Sequence, residues 1–440
     1  MSQQTSSAAV RLGVALIIGL IIGAGLTYAF MSMTAPPTTA PEEYEKKIQE
    51  LQSTVEDLQS KLAALQAAQK PKEYIIGATI PLTGELTSVA AQWKNALDMG
   101  IEELNEEVAS YGINAKFKLV ILDDKTKDEE ALKNIQTLYQ AGVRIVLGPA
   151  ASSQVKAVKA FADENKIVVF SPSSTAPTLA IPDDYIFRNV GSDAVQAKAL
   201  AKLVWEEGVK KVVVFHRDDE YGLAFANFFE KAFSELGGTA ISLKYATGLP
   251  DYASEVAQLS SKISQEGAEG VVMITFDTDG ANILSHAKDD PVLTKVRWFS
   301  SEGVHGTPEL TTPEVAQFLN SVGFYGTRPV FKENPLYREF VKKFVSKYGV
   351  EPPVFTANLY DSLFISAWAI LKAGEYSGPA IKDALPKVAS HYYGVSGWCV
   401  LDEAGDRLIQ DYAIWTVAEV DGVYKYKDVG SYSAGTITWG

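Results

Sequence analysis

Apolar and polar positions follow two different periods along the chain from Tyr74 onward. Short apolar runs typical of buried strands alternate with stretches whose apolar residues have helical spacing. This order predicts a parallel sheet with helices on both faces, because parallel strands need crossover connections. The first series has predicted strands at 74–80, 117–123, 143–147 and 167–170, and predicted helices at 89–108, 128–141 and 152–164.

The same alternation starts again after Val190 and predicts a second unit of similar size. Its helices are predicted at 193–207, 223–236, 252–265 and 278–287, and its strands at 211–216, 240–245, 270–275 and 296–300. From Pro335 the pattern is helical, and apolar and aromatic strands close the chain. The fold class is therefore predicted to be α/β, with two doubly wound, parallel-sheet lobes. Ligands of such sheets bind at the carboxyl ends of the strands, so a cleft is expected between the lobes.

The N-terminal segment has a different pattern, with 22 uncharged residues from Leu12 to Met33. At about 1.5 Å per residue, a helix of this length spans a bilayer core of about 30 Å. The run is long for a signal peptide, and its end, Tyr28-Ala-Phe-Met-Ser-Met33, is a poor cleavage site. These features favour a transmembrane signal anchor at 12–33, with a cleaved signal peptide as the alternative. The positive charges of Arg11 and the amino terminus predict that the remainder lies outside the membrane.

A proline-rich linker at 34–41 is followed by a heptad pattern over 42–70. Ile48, Val55 and Leu62 fall at its a positions, and leucines occupy the d positions 51, 58 and 65. β-Branched a residues with leucine at d are typical of a parallel two-stranded coiled coil. The pattern favours a stalk that forms a parallel homodimer. A single amphipathic helix packed on the folded domain is the alternative.

The composition excludes several classes of function, although it says little about the fold. The net charge of −14 and the pI of about 4.9 argue against nucleic acid and anionic membrane surfaces as partners. Cys399 is the only cysteine, so an intrachain disulfide, a cysteine metal cluster and a lipid anchor on an N-terminal cysteine are excluded. The four histidines lie far apart, which argues against a zinc enzyme. Neither a nucleophile elbow nor a nucleotide-binding glycine motif occurs, so neither an enzyme nor a cofactor is expected.

The loops at 81–88, 148–153 and 171–177 lie at the predicted carboxyl edge of the first sheet. The second of these follows an apolar run with Gly-Pro and enters a helix through two serines. Hydroxyls and free N–H groups then lie at the positive end of a helix, which suits an anion the size of a carboxylate. Ser152 is therefore a candidate ligand contact. Its simpler role is to cap its own helix.

Glu302 follows the last predicted strand of the second unit and would extend into the same cleft. The alternative is a solvated glutamate on the surface, as most glutamates are. Asp123 and Asp124 end a predicted strand and are expected to be a structural pair. His305, although close to Glu302 in sequence, is predicted to be an ordinary loop residue.

Eight motifs occur in an order that is typical of one protein family. They are Gly77-Ala-Thr-Ile-Pro-Leu-Thr-Gly84, Asp123-Asp124, Gly148-Pro-Ala-Ala-Ser-Ser153, Ser171-Pro-Ser-Ser-Thr-Ala-Pro177, Phe187-Arg188, Asp218-Asp-Glu-Tyr-Gly222, Ser301-Glu-Gly303, and Gly394-x-x-Gly397 with Leu401-Asp-x-x-Gly-Asp-Arg407. From about Tyr74 to its end, the chain resembles the branched-chain amino acid (Leu/Ile/Val) substrate-binding proteins of ABC transporters. That family has the type I periplasmic-binding fold.

The resemblance implies two lobes that are joined by three crossovers and close on a ligand by hinge motion. Carried onto this sequence, the crossovers fall near 189–191, 326–328 and 396–400. Lobe 1 is then predicted to contain 73–189 with 327–396, and lobe 2 to contain 190–326 with 397–440.

The resemblance also implies roles for particular residues. The Ser152 hydroxyl, and the N–H and hydroxyl of Thr175, would bind the α-carboxylate of the ligand. The carbonyl of Ser173 and the carboxylate of Glu302 would bind its ammonium group, and Tyr221 would line the cleft from lobe 2.

Departures from the family pattern concern the pocket for the side chain of the ligand. Phe276 stands where a tyrosine is frequent, and Leu86, Val89 or Trp93 replaces an aromatic residue of the early loop. Asp277 offers a polar group, so a ligand other than Leu, Ile or Val is possible.

The expected function is that of an extracytoplasmic receptor anchored to the cell membrane. It would bind an amino acid-like zwitterion and present it to an ABC permease. The alternative is the ligand-sensing ectodomain of a signalling assembly.

Overall fold

The computed structural model describes residues 42–331 and 334–440. The chain divides into two compact units, Met1–Pro71 and Lys72–Gly440. The predicted transmembrane anchor at 12–33 and the linker at 34–41 lie outside the described residues. Within the described ranges, no helix has both the length and the apolar character needed to cross a membrane.

The described part of the first unit is one helix, α1 (Glu42–Gln69), of 28 residues. A helix is present where the stalk is predicted. Leu51 and Leu58, at d positions of the heptad, are 61% and 49% exposed in the single chain. Pairing of this helix with a second copy stays a prediction.

In the second unit, the first sheet has five parallel strands in the order β2-β1-β3-β4-β5. Its central strands are apolar on both faces because helices cover both, and Ile76, Ala78 and Ile80 of β1 are fully buried. Its strands are β1 (Lys72–Ile80), β2 (Ala115–Asp123), β3 (Ile145–Leu147), β4 (Val168–Ser171) and β5 (Ile186–Arg188). The helices between these strands are α2 (Thr87–Ser110), α3 (Asp128–Gln140) and α4 (Ser152–Asn165).

The second sheet has eight strands in the order β15-β14-β13-β10-β9-β8-β6-β7. Its strands are β6 (Lys211–Arg217), β7 (Thr239–Tyr245), β8 (Gly270–Ile274), β9 (Arg297–Ser300), β10 (Tyr325–Val330), β13 (Asp411–Val420), β14 (Val423–Ser433) and β15 (Thr436–Trp439). Its helices are α5 (Asp193–Glu206), α6 (Glu220–Glu235), α7 (Ala253–Glu266), α8 (Asp277–Ala287) and α9 (Pro313–Ser321).

This second sheet is mixed, whereas the sequence predicted parallel sheets in both lobes. Strands β6 to β10 are parallel, and β13 to β15 are added antiparallel to β10 and to one another. The cause lies in the connection between β13 and β14. It consists of Asp421 and Gly422, both with positive φ, and a turn of two residues joins only antiparallel strands.

The remaining helices are α10 (Pro335–Tyr348), α11 (Thr356–Ala373) and α12 (Gly378–Ala389), and they share a buried core with β1. A short hairpin of β11 (Tyr393–Gly394) and β12 (Gly397–Trp398) follows. We refer to the first sheet and its helices as lobe 1, and to the second sheet and its helices as lobe 2.

The chain changes lobes later than the predicted boundaries at 326–327 and 396–397. Strand β10 extends to Val330 and lies wholly in the second sheet. After β12 the chain still contacts lobe 1, because the N–H of Arg188 donates to the carbonyl of Gly405 (2.9 Å) and the N–H of Arg407 donates to that of Arg188 (2.9 Å). It rejoins the second sheet at Asp411.

Candidate ligand-binding site between the lobes

A cavity lies between the carboxyl ends of the strands of lobe 1 and lobe 2. It contains about 550 Å³ of empty space, including the space at its mouth. The six residues predicted from the sequence all line it: Ser152, Ser173 and Thr175 from lobe 1, and Tyr221, Phe276 and Glu302 from lobe 2. The structure therefore brings together groups that are up to 150 residues apart in the chain (302 − 152 = 150).

Ser152 is the first residue of α4 and does not cap that helix. The capping position belongs to Ala151, whose N–H donates to Gln154 Oε1 over 3.1 Å. Ser152 Oγ instead accepts from the Ser174 hydroxyl (3.0 Å) and from the N–H of Ala176 (3.3 Å). Its own proton thus remains available to an acceptor in the cavity. The simpler role considered for Ser152, capping, is wrong.

The loop that follows β4 offers both a donor and an acceptor. Within the described residues, the N–H of Thr175 and the carbonyl of Ser173 have no hydrogen-bond partner. The hydroxyl of Thr175 donates to Asp193 Oδ2 over 2.7 Å, so its proton is not offered to a carboxylate, the role that the resemblance implied, and its lone pairs stay available to a donor. The hydroxyl of Ser173 donates to the carbonyl of Ala150 over 3.0 Å and holds this loop against the start of α4.

A buried guanidinium sets the position of this loop. Arg188 is 1% exposed, and its Nη1 donates to the carbonyls of Ala176 (2.6 Å) and Ser174 (3.2 Å). Its Nε donates to Asp406 Oδ1 over 2.6 Å, and Nη2 donates to the other oxygen of that carboxylate. The bidentate ion pair fixes the guanidinium plane, and thereby the carbonyls that it holds.

Glu302 is buried, with 5% of its surface exposed, so it is not a solvated surface residue. Its Oε1 accepts from the Tyr221 hydroxyl (3.1 Å) and its Oε2 from Gln196 Nε2 (2.6 Å). Burial raises the pKa of Glu302, and these two hydrogen bonds oppose the rise. A carboxylate held in this way is an anionic acceptor at low solvent exposure.

Aromatic rings of lobe 2 connect the cavity with an ion-pair network. Phe276 stacks on Tyr221, with ring centroids 5.4 Å apart, and the Arg217 guanidinium carbon lies 3.6 Å from the Phe276 centroid. Arg217 also donates to Asp279 (3.0 Å) and, across the cleft, to Glu85 of lobe 1 (2.7 Å). The wall of the cavity is thus connected to a contact between the lobes.

The two lobes are closed over the cavity. The N–H of Ser88 in lobe 1 donates to Asp277 Oδ2 of lobe 2 over 3.2 Å. The Thr278 hydroxyl donates to the carbonyl of Glu85 over 3.1 Å, and Lys156 pairs with Glu220 over 2.7 Å. Contacts of this kind can form only when the lobes approach each other, as in the closed state of a hinged clamp.

Comparison with known proteins agrees with this architecture. A family model described as the receptor family ligand binding region matches residues 92–419, more than half of the chain. The chain belongs to this family. Its fold is the type I periplasmic-binding fold, and in sequence it is similar to Leu/Ile/Val-binding proteins.

Individual relatives are similar over most of their length. An uncharacterised protein of Methanocaldococcus jannaschii is 28% identical over 85% of this chain and 93% of its own. The leucine-, isoleucine-, valine-, threonine- and alanine-binding protein of Pseudomonas aeruginosa is 25% identical over 76% of this chain and 87% of its own. The structure of the leucine-binding protein LivK of Thermotoga maritima has a TM-score of 0.66 at 22% identity, and covers 80% of this chain and 97% of its own.

Two residues at the site were missed or misjudged from the sequence: Asp193, which contacts the lining residue Thr175, and His305. Asp193, at the start of α5, is fully buried, and its Oδ1 has no hydrogen-bond partner among the described residues. Burial and the nearby Glu302 charge raise its pKa well above the ordinary value. His305 lines the cavity, contrary to its prediction as an ordinary loop residue. Its ring packs against Trp415 and Tyr426, and burial lowers its pKa well below the usual range.

Part of the cavity wall is apolar. This part is formed by Leu86, Val89, Trp93, Val354 and Phe355. Asp123 and Asp124 are not among the lining residues. Asp123 accepts from the N–H and hydroxyl of Thr83 (3.1 and 2.7 Å), as expected for a structural residue at a strand end.

Proposed function

We propose that this chain is the extracytoplasmic solute receptor of an ABC importer, and that its lobes close by hinge motion on an amino acid-like zwitterion. The observation that carries the proposal is the distribution of unused groups around the cavity. Donors from Ser152 and Thr175 lie on the side of lobe 1, and the buried acceptor Glu302 lies on the side of lobe 2.

The α-carboxylate is assigned to the donors. Ser152 has a hydroxyl proton that is not used by its neighbours, and Thr175 has an N–H group without a partner in the described chain. Both lie beside the first turn of α4, whose free N–H groups favour negative charge. This environment stabilises an anion without a lysine or arginine.

The α-ammonium is assigned to the acceptors. The Ser173 carbonyl, the Thr175 hydroxyl and the Glu302 carboxylate supply three acceptors, of which only the last is charged. Hydrogen bonds to an ionised group in a closed, poorly hydrated site are stronger than neutral ones. The ligand thus stabilises the closed state through groups of both lobes, and a permease would recognise that state.

Calorimetry of the full chain against a panel of L-amino acids tests the assignment. We expect binding of at least one amino acid, with the charge of Glu302 required. Glu302→Gln should weaken binding about 10- to 100-fold, because it removes a charge-assisted hydrogen bond. Glu309→Gln is the matched control, since Glu309 is exposed and lies outside the cavity. Equal affinities of wild type and Glu302→Gln would refute the ammonium site.

The N-terminal segment supports a tethered receptor that self-associates. The uncharged run at 12–33 is proposed as the membrane anchor, and the heptad in α1 as a parallel homodimer stalk. Sedimentation of the full chain should give a dimer, and Leu51→Asp with Leu58→Asp should give a monomer. Ser53→Asp with Ser60→Asp, at positions away from the seam, should leave the dimer intact. A monomeric wild type would rule out the stalk dimer.

A further inference from the structure

A second buried carboxylate lines the cavity. Asp277, the first residue of α8, is 5% exposed and lines the cavity. Its Oδ2 accepts from the N–H of Ser88 across the cleft. Its Oδ1 is also buried, and no donor reaches it from the described part of the chain. One oxygen of this carboxylate is thus engaged in closure, whereas the other is left without a partner.

No side chain that lines the cavity in the described residues neutralises this group. The lining contains neither lysine nor arginine. Arg217 pairs instead with Asp279, which also accepts a hydrogen bond from Tyr245. Burial raises the pKa of Asp277 to about 6, so the carboxylate is still mostly ionised at neutral pH. An ionised acceptor without a donor is costly inside a closed site.

Ser88 is the polar wall residue beside Asp277, to which its N–H and its hydroxyl both hydrogen-bond, but no wall group among the described residues donates to Oδ1. Leu86, Val89 and Trp93 are apolar where they line the cavity, and the indole N–H of Trp93 is already donated to the carbonyl of Val354 over 3.2 Å. A donor for Asp277 Oδ1 can therefore be supplied by a ligand. We assign this donor to the ligand's side chain, because the proposed contacts of its α-ammonium and α-carboxylate use other groups of the cavity.

We propose that the cavity selects amino acid zwitterions whose side chain ends in an N–H donor, a carboxamide or an ammonium group, which is accepted by Asp277 Oδ1. This inference rests on the proposed function and names the ligand class for the same site. An alkyl side chain of equal size would pack against the apolar walls but leave Asp277 Oδ1 without a partner. A site built to accept a hydrogen bond discriminates strongly against an analogue that lacks the donor.

Near-isosteric ligand pairs provide the test on the full, unaltered chain. Asparagine and leucine have similar shapes and differ in the donor, and 2,4-diaminobutyrate and norvaline form a second such pair. Calorimetry should give at least about tenfold tighter binding of the donor-bearing member of each pair. Tighter binding of leucine and norvaline would overturn the inference while leaving the proposed function in place.

Variants of Asp277 give an independent readout. Asp277→Leu should reverse both preferences, and Asp277→Asn should weaken 2,4-diaminobutyrate more than asparagine, because only the former ligand needs the charge. Asp289→Asn is the control, since Asp289 is exposed and outside the cavity. Unchanged ratios in Asp277→Leu would refute the role of Asp277. The proposed function fails separately, if no amino acid binds or if Glu302→Gln has no effect.

Discussion

The Tyr221 hydroxyl lies 3.1 Å from Oε1 of Glu302, although 81 residues separate the two in the chain. The same hydroxyl is 2.8 Å from Ser301 Oγ. Tyr221 therefore holds the carboxylate in one orientation and favours its ionised form, in opposition to the effect of burial. Tyr221 lies on α6, so the orientation of the Glu302 carboxylate depends on the position of this helix.

Replacement of Tyr221 by phenylalanine removes this hydrogen bond and keeps the ring that stacks on Phe276. We expect the affinity for the amino acid to fall about tenfold, the usual size of a lost hydrogen bond to a charged group. Calorimetry near neutral pH measures the effect, and Tyr111→Phe, at a 65% exposed tyrosine, is the control. Affinity equal to that of the wild type would contradict the role of the hydroxyl.

The stability of the ligand-free chain should respond to pH in the direction set by its buried carboxylates. Burial raises the pKa of Glu302 and Asp193, and raises the pKa of Asp277 to about 6. The folded state then binds more protons than the unfolded state between about pH 4 and pH 6, so the contribution of these groups to the free energy of unfolding decreases as the pH rises. Thermal unfolding of the wild type and of Glu302→Gln at several pH values measures this effect. As the pH rises, stability should decrease less in the variant than in the wild type. Parallel curves would contradict this prediction.

Ligand binding should have the opposite pH dependence. The ammonium group needs an ionised Glu302, so the ligand-induced increase in melting temperature should shrink as the pH falls through the raised pKa of this residue. Scans with saturating amino acid from about pH 7 to about pH 4.5 measure it. In Glu302→Gln, the increase in melting temperature that the ligand still causes should vary less with pH. An increase that is constant across this range in the wild type would show that Glu302 does not hold the ammonium group.

The ion pair of Arg188 and Asp406 should be worth far more than a similar pair on the surface. Arg188→Met leaves the Asp406 carboxylate buried without its partner and frees the carbonyls of Ser174 and Ala176. We expect a loss of about 3–5 kcal/mol in the free energy of unfolding, together with weaker ligand binding. The control is Arg328→Met, whose pair with Asp428 is more exposed and should contribute about 1 kcal/mol or less. Urea unfolding of both variants measures the difference, and equal losses would contradict it.

The sequence predicted the parts of the site that depend on local pattern. The loops at 148–153 and 171–177 were predicted to lie together because the strands before them end at one edge of the sheet. Within them, Ser152 was a candidate from its helix start, whereas Ser173 and Thr175 were implied by the family resemblance. The role considered for Ser152 as a cap was wrong, because local spacing does not show that Ser174 approaches from a separate loop.

Other features depend on contacts that no local pattern encodes. In the sequence, Asp193 is an ordinary acidic residue in the first turn of its helix. Its burial arises from the packing of the two lobes. His305 is held at the cavity by Trp415 and Tyr426, more than 100 residues later in the chain (415 − 305 = 110). The lobe boundary at 326–327, carried over from the family resemblance, falls inside β10, a short strand that is identified only by its pairing with β9 and β13.

The contact between Arg217 and Glu85 should help to hold the lobes closed around the ligand. Arg217 is buried in lobe 2, where it stays paired with Asp279, whereas Glu85 approaches from lobe 1. Glu85→Gln removes one charge from the contact between the lobes and leaves the lining of the cavity unchanged. We expect about three- to tenfold weaker binding, caused mainly by faster dissociation, because the contact is made only in the closed state. Stopped-flow measurements of association and dissociation rates test this. Glu106→Gln, at an exposed glutamate far from the cleft, is the control. A dissociation rate equal to that of the wild type would show that the Arg217–Glu85 pair does not contribute to closure.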